Sequence, residues 1–149
     1  MRKVNFGRVL TGALLWWLVV MVLGVPAWMF YGQEWQMAVA GISRFPIPNT
    51  EFVVVFNVGV FALGVVTMWL YASMRSFHGP GPKTAAMAGL AVWFCLSVAD
   101  IFWAELRFMP RRLVGESIAV YLVAIVAATM AGAWQYRDAA GADSLRGGG

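Results

Sequence analysis

The stretch FVVVFNVGVFALGVVTMWLYASM, residues 52–74, contains 23 consecutive residues without a charge. A helix needs roughly 20 apolar residues to cross about 30 Å of hydrocarbon. Two further runs, 9–33 and 117–136, are also free of charge and long enough. We expect all three to cross a bilayer as α-helices, because a helix satisfies its own backbone hydrogen bonds where no water is present.

A fourth apolar run begins at Thr84, stays uncharged to residue 99 and continues through Asp100 to Glu105. It reaches spanning length only if Asp100 lies near one end of the helix. The sequence therefore predicts an all-α integral membrane four-helix bundle with spans at about 9–31, 52–74, 84–106 and 114–136. These form a single transmembrane domain, residues 1–137, and the small, polar, Gly-rich segment 138–149 is predicted to be a disordered tail.

The composition excludes several classes of protein. Hydrophobic residues make up 61% and charged residues 12% of the chain, whereas a soluble domain has about 25% charged residues. The single Cys95 and the single His78 exclude an internal disulfide, a CxxC pair and a multi-histidine metal site. No nucleophile, zinc or phosphate-loop motif is present. We therefore predict no catalytic residue, no metal and no cofactor, and scattered charges argue against nucleic-acid binding.

The distribution of basic residues predicts the orientation. Both termini and the 75–83 turn share one side of the membrane and hold seven Lys and Arg residues, against four on the opposite side. Formal charge is +5 on the first side and −1 on the second. Because loops rich in Lys and Arg stay in the cytoplasm, we expect a multi-pass protein of the inner (cytoplasmic) membrane with both termini cytoplasmic.

The segment after the first span is predicted to form a short interfacial helix, residues 33–43. Trp35, Ala38, Val39 and Ile42 recur at i, i+3, i+4 and i+7, which is typical of one apolar helix face on a membrane surface. Pro26 is expected to kink or end the first span before this helix.

Polar residues inside the spans are the first candidate site. Asp100 lies about 8–10 Å below the outer boundary at 1.5 Å per residue, and Asn57 is expected at the same depth. Ser97 shares a helix face with Asp100. Such residues usually face protein or a water-filled cavity. This group is therefore a set of hydrogen bonds that fixes helix packing, a substrate or proton site, or a contact with lipid headgroups.

The second candidate site is a charged group around the third loop. Arg112 and Glu116 have the i, i+4 spacing of a helical ion pair. The group either forms an ion-pair network that joins spans three and four, or binds an anionic lipid or substrate. Its members are Glu105, Arg107, Arg111, Arg112 and Glu116.

Small residues recur at intervals of four in two spans, which predicts close helix approach. They are Ala124, Ala128 and Gly132 in the fourth span, and Ala85 and Gly89 in the third.

Three stretches together resemble a group of small, functionally uncharacterised bacterial four-span membrane proteins. They are NFGRVLTG at 5–12, QEWQ at 33–36, and GPGPKT at 79–84 leading to AGLAVW at 88–93. The resemblance implies a class and a length for most of the chain, and it implies no site residues because the group carries no established activity.

These observations favour a non-enzymatic accessory or structural membrane component. The alternative is a small transporter or channel that uses Asp100 and Asn57, and a lipid-modifying membrane enzyme is third. The expected partners are membrane lipids, with either a second copy of the chain or a larger membrane complex.

Overall fold

The structure, a computed structural model, describes residues 4–41 and 49–146, and its side chains as far as residue 136. The described residues form four helices and no strand: α1 (Phe6–Ala40), α2 (Thr50–His78), α3 (Pro82–Glu105) and α4 (Arg111–Arg146). Each helix is long and apolar enough to cross a membrane. The predicted all-α four-helix membrane architecture is therefore confirmed.

The helices pack as a ring in which neighbours run in opposite directions. Each helix contacts the next along the chain, and α4 returns to pack against α1. One buried cluster joins Val9, Met68, Ala85 and Ala133 from the four helices. A second cluster joins Trp16, Val92, Ile125 and Ala128, and we call it the Trp16 layer. We call the end of the bundle that holds the α2–α3 turn the terminal end, and the end that holds the α3–α4 turn the loop end.

The predicted interfacial helix is not a separate element. α1 continues through Pro26 without interruption to Ala40, and at 1.5 Å per residue it is about 52 Å long. Aromatic packing explains the continuation: the rings of Trp28 and Trp35, two turns apart, lie 5.4 Å apart, and Trp35 lies 5.9 Å from Phe52 of α2. These contacts keep the last turns of α1 in line with the rest of the helix. The remainder of the predicted segment, from residue 42, lies outside the described residues.

α4 also extends beyond its predicted span. It is helical to Arg146, where the sequence predicted a disordered tail from residue 138. The segment 139–142, Ala-Ala-Gly-Ala, is rich in alanine, which has the highest intrinsic helix propensity. Propagating an existing helix also costs less than starting a new one. Residues 147–149 lie outside the described part.

Small residues allow the helices to approach closely. A Cβ atom added to Gly132 of α4 would lie 2.9 Å from the Gly12 carbonyl oxygen of α1, and one added to Gly89 of α3 would lie 3.0 Å from the Thr129 hydroxyl. The predicted contact role of the small residues is confirmed, because the whole set is buried. Its members are Ala85, Gly89, Ala124, Ala128 and Gly132.

The turns and caps are specified locally. Asn5 and Asn49 cap α1 and α2 by accepting hydrogen bonds from the backbone N–H groups of Arg8 and Phe52. Gly79 ends α2 at φ 78°, a conformation that favours glycine. Pro82 then begins α3, where its missing N–H costs no helical hydrogen bond.

Candidate functional site

The side-chain amide of Asn57 forms its hydrogen bond within its own helix. The half-buried side chain donates from Nδ2 to the Val53 carbonyl at 2.8 Å. Ser97 behaves in the same way, because its buried hydroxyl donates to the Trp93 carbonyl at 2.8 Å. Neither side chain forms a described hydrogen bond to a neighbouring helix, so the predicted interhelical polar contact is absent at these two positions.

Asp100 and Asn57 are not joined by any hydrogen bond among the described residues. Its carboxylate is half-buried and forms no hydrogen bond or ion pair with another described residue, and its field reaches the hydroxyls of Tyr31 on α1 and Tyr121 on α4. Asp100 of α3 therefore interacts electrostatically with side chains of α1 and α4. We call Tyr31, Asp100 and Tyr121 the tyrosine–aspartate group.

The sequence did not reveal this group. Neither Tyr31 nor Tyr121 belongs to a site predicted from the sequence. The available signal was the phenol of Tyr121 inside an otherwise apolar span, since buried tyrosine hydroxyls usually find a polar partner. Whether these groups meet depends on how each helix is rotated about its axis, and that rotation cannot be predicted from the apolar pattern of the spans.

The charged group at the loop end forms three ion pairs in two separate sets, one around Arg111 and one around Arg112. Arg111 Nη2 lies 3.0 and 3.2 Å from the two carboxylate oxygens of Glu105, which joins α4 to α3. Arg112 Nε donates to Glu116 Oε1 at 2.8 Å, the i, i+4 pair that the spacing predicts. Arg112 Nη2 also lies 4.0 Å from Glu34 Oε1 on α1, a member that the sequence-based group lacked. The charges thus connect three helices at their loop ends.

Arg107 is the exception among these arginines. It has φ 61°, and its backbone N–H donates to Ala104 while that of Phe108 donates to Trp103. This is the Schellman pattern that ends a helix, and the Trp103 and Phe108 rings, 5.5 Å apart, supply its hydrophobic contact. The exposed Arg107 side chain forms no ion pair with another described residue.

Two cavities lie at opposite ends of the bundle. The larger, about 670 Å³, lies at the loop end beside Arg107 and Arg111. The smaller, about 190 Å³, lies at the terminal end beside Tyr71 and Trp134. Neither cavity is lined by Asn57, Ser97 or Asp100, so the first candidate site has no connection to either cavity.

The middle of the bundle is closed by Trp16. This side chain is 1% exposed, and its Nε1 donates to the Thr129 hydroxyl at 3.1 Å. The Thr129 hydroxyl donates in turn to the Ile125 carbonyl at 2.7 Å. On the α2 side, a Cβ atom on Gly64 would lie 2.9 Å from the Trp16 ring. The indole therefore fills the space between α1, α2 and α4, and its one polar atom is satisfied.

Within the described residues, no group of three or more His, Cys, Asp and Glu side chains is placed to hold a metal ion. Comparisons with protein-family models, with curated proteins and with solved structures found no match.

Proposed function

We propose that this chain is a non-enzymatic accessory or structural component of a membrane, acting through a partner protein or a second copy of itself. The observation that carries this proposal is the closed Trp16 layer. Its members are apolar except for the indole N–H of Trp16, which is bonded to Thr129. A transport path needs polar groups along its length, and the polar groups described at this layer, the Trp16 indole and the Thr129 hydroxyl, are bonded to each other.

The polar residues support the same reading. Asn57 and Ser97 bond to carbonyls of their own helices, as polar side chains do when no ligand or neighbouring helix requires them. Two of the loop-end arginines are paired with carboxylates. These arrangements use polar groups to hold the helices in place.

The orientation of the chain in the membrane is part of this proposal. With seven Lys and Arg residues on the terminal side and four on the loop side, we place both termini in the cytoplasm and the protein in the cytoplasmic membrane. The Glu105, Arg111, Arg112 and Glu34 contacts then lie on the outer face, where a partner is expected to meet them.

A second candidate function is proton or cation transport through Asp100. The observation that favours it is the tyrosine–aspartate group, in which a carboxylate without a described hydrogen bond lies near two phenols. Intramembrane acids often mark ion and proton pathways. The sequence-based form of this candidate also includes Asn57, whose amide bonds to Val53 of its own helix.

One pair of experiments separates the two functions. The purified chain is reconstituted in vesicles that contain a pH-sensitive dye, and an imposed proton or potassium gradient is followed. We expect the gradient to decay as in protein-free vesicles. A faster decay that the Asp100→Asn variant abolishes, while still assembling, would replace the accessory function with transport.

The second experiment looks for the partner. Mild purification after chemical cross-linking is expected to recover the chain with another protein, or a second copy, at constant stoichiometry. Recovery as a monomer without a cross-linked species would contradict the accessory role.

A further inference from the structure

The wall of the cavity at the loop end contains both charged and apolar side chains. It lies between the end of α1 and the α3–α4 turn, and its charged lining residues are Glu105, Arg107 and Arg111. Its other lining residues are Ala38, Ala104, Phe108, Met109 and Pro110. The cavity is thus partly open, and its charged side chains are grouped on the α3–α4 side.

The charges in this wall do not cancel. Arg111 is engaged by both carboxylate oxygens of Glu105, which neutralises that pair. Arg107 forms no ion pair or hydrogen bond through its side chain with another residue in the described part of the chain. One positive charge therefore remains uncompensated beside a cavity of about 670 Å³.

The helix that forms this wall is apolar immediately below the cavity. Phe102, Trp103 and Leu106, in the last two turns of α3, are 65%, 52% and 64% exposed. A ligand held at Arg107 would therefore have a hydrocarbon-lined surface directly beside it. This arrangement suits an amphipathic anion better than a small, fully hydrated one, because the exposed rings offer apolar contact.

The backbone fixes the direction of Arg107. Its φ of 61° and the two Schellman hydrogen bonds set the orientation of the turn that carries it. The guanidinium is a planar donor that binds phosphate oxygens in pairs. We propose that this cavity binds the phosphate headgroup of an anionic phospholipid, with Arg107 as the main contact and the exposed face of α3 along the acyl chains.

The test measures lipid retention. The protein is reconstituted in equal parts of phosphatidylglycerol and phosphatidylcholine, extracted in mild detergent, and its bound lipids are quantified by mass spectrometry. We expect phosphatidylglycerol to be enriched on the wild-type chain. Arg107→Gly should reduce that enrichment about fivefold, the ratio that corresponds to about 1 kcal/mol for one basic residue at a lipid surface.

The variants separate charge from folding. Glycine accepts φ 61° without strain, so Arg107→Gly removes the guanidinium while keeping the turn. Arg107→Lys keeps the charge but loses the paired donors of the guanidinium, so it should retain part of the enrichment, between Arg107→Gly and the wild-type chain. Lys83→Gln removes one exposed charge at the terminal end of the bundle and should leave the enrichment unchanged.

Three outcomes would overturn the proposal. The first is equal retention of the two lipids by the wild-type chain. The second is an equal loss in Arg107→Gly and Lys83→Gln, which would indicate general charge attraction. The third is displacement of phosphatidylglycerol by millimolar inorganic phosphate, which would assign the cavity to a free anion. Each outcome is independent of the transport and cross-linking results.

Discussion

The indole N–H of Trp16 on α1 donates a hydrogen bond to the hydroxyl of Thr129 on α4 over 3.1 Å, and both side chains are buried. The two residues are 113 positions apart in the sequence, so this contact joins the first and last helices of the bundle. Because Gly64 of α2 packs on the same ring, one side chain sets the spacing of three helices.

Trp16→Phe keeps most of the ring volume and removes the donor. We expect it to lower the free energy of unfolding by about 0.6–2 kcal/mol, as for other hydrogen bonds between membrane helices. Trp16→Ala also leaves a cavity and should cost about 3–5 kcal/mol. Thermal unfolding in mild detergent measures both. Thr11→Val is the control, because the exposed Thr11 hydroxyl bonds only to its own helix; equal losses in Thr11→Val and Trp16→Phe would contradict the argument.

Gly132→Ala should separate α1 from α4. The new Cβ atom would lie 2.9 Å from the Gly12 carbonyl oxygen and 2.7 Å from the Met68 sulfur. The methionine can move, but the carbonyl belongs to a helix backbone, so we expect a loss of about 1–3 kcal/mol. The matched control is Gly59→Ala in α2, which meets nothing within 4 Å. If Gly132→Ala is as stable as Gly59→Ala, the close approach of α1 and α4 is not required.

Arg107→Gly should stabilise the fold when no anionic lipid is present. A residue other than glycine at φ 61° is strained by about 1–2 kcal/mol. The greater freedom of glycine in the unfolded chain offsets about 0.4–1 kcal/mol of this relief, so we expect the free energy of unfolding to rise by up to about 1 kcal/mol. Arg107→Val, with a branched side chain at the same angle, should lower it. The measurement is thermal unfolding in detergent with phosphatidylcholine alone. A destabilised Arg107→Gly would show that the side chain, rather than the backbone, stabilises this turn.

Arg111→Ala tests the ion pair with Glu105. Both side chains are largely exposed, at 79% and 60%, so we expect a loss of only about 0–1 kcal/mol. The loss should shrink between about 0.05 M and 1 M salt as the charges are screened. Lys83→Ala, without an ion-pair partner in the described residues, is the control. A loss well above this range, or one that salt leaves unchanged, would mean that the pair is shielded from solvent.

The orientation is tested by cysteine labelling. In a Cys95→Ser background, single cysteines at positions 2 and 78 should react with a membrane-impermeant reagent only from the cytoplasm. A cysteine at position 47 should react only from outside, because the Lys and Arg excess keeps the opposite face in the cytoplasm. Labelling of position 47 from the cytoplasmic side alone would reverse the topology.

Features that depend on neighbouring residues within one helix could be predicted from the sequence. Uncharged runs such as 52–74 predict the four spans, because the cost of a charge in hydrocarbon acts on each residue separately. The i, i+4 spacing of Arg112 and Glu116 predicts their ion pair for a similar reason, since both residues belong to one helix. The continuation of α1 past Pro26 was missed, because it depends on the packing of Trp35 against Phe52 of α2.

The tertiary structure alone decided which side chains meet between helices. Asn57 and Asp100 have matching expected depth, yet Asn57 bonds to Val53 of its own helix, and no described hydrogen bond joins it to Asp100. In a water-soluble bundle, each helix has one apolar face, and the position of that face shows which side of the helix points toward the core. In a bilayer, lipid and protein interior are both apolar, so apolar residues cover every side of a span and the sequence fixes its depth but not its rotation.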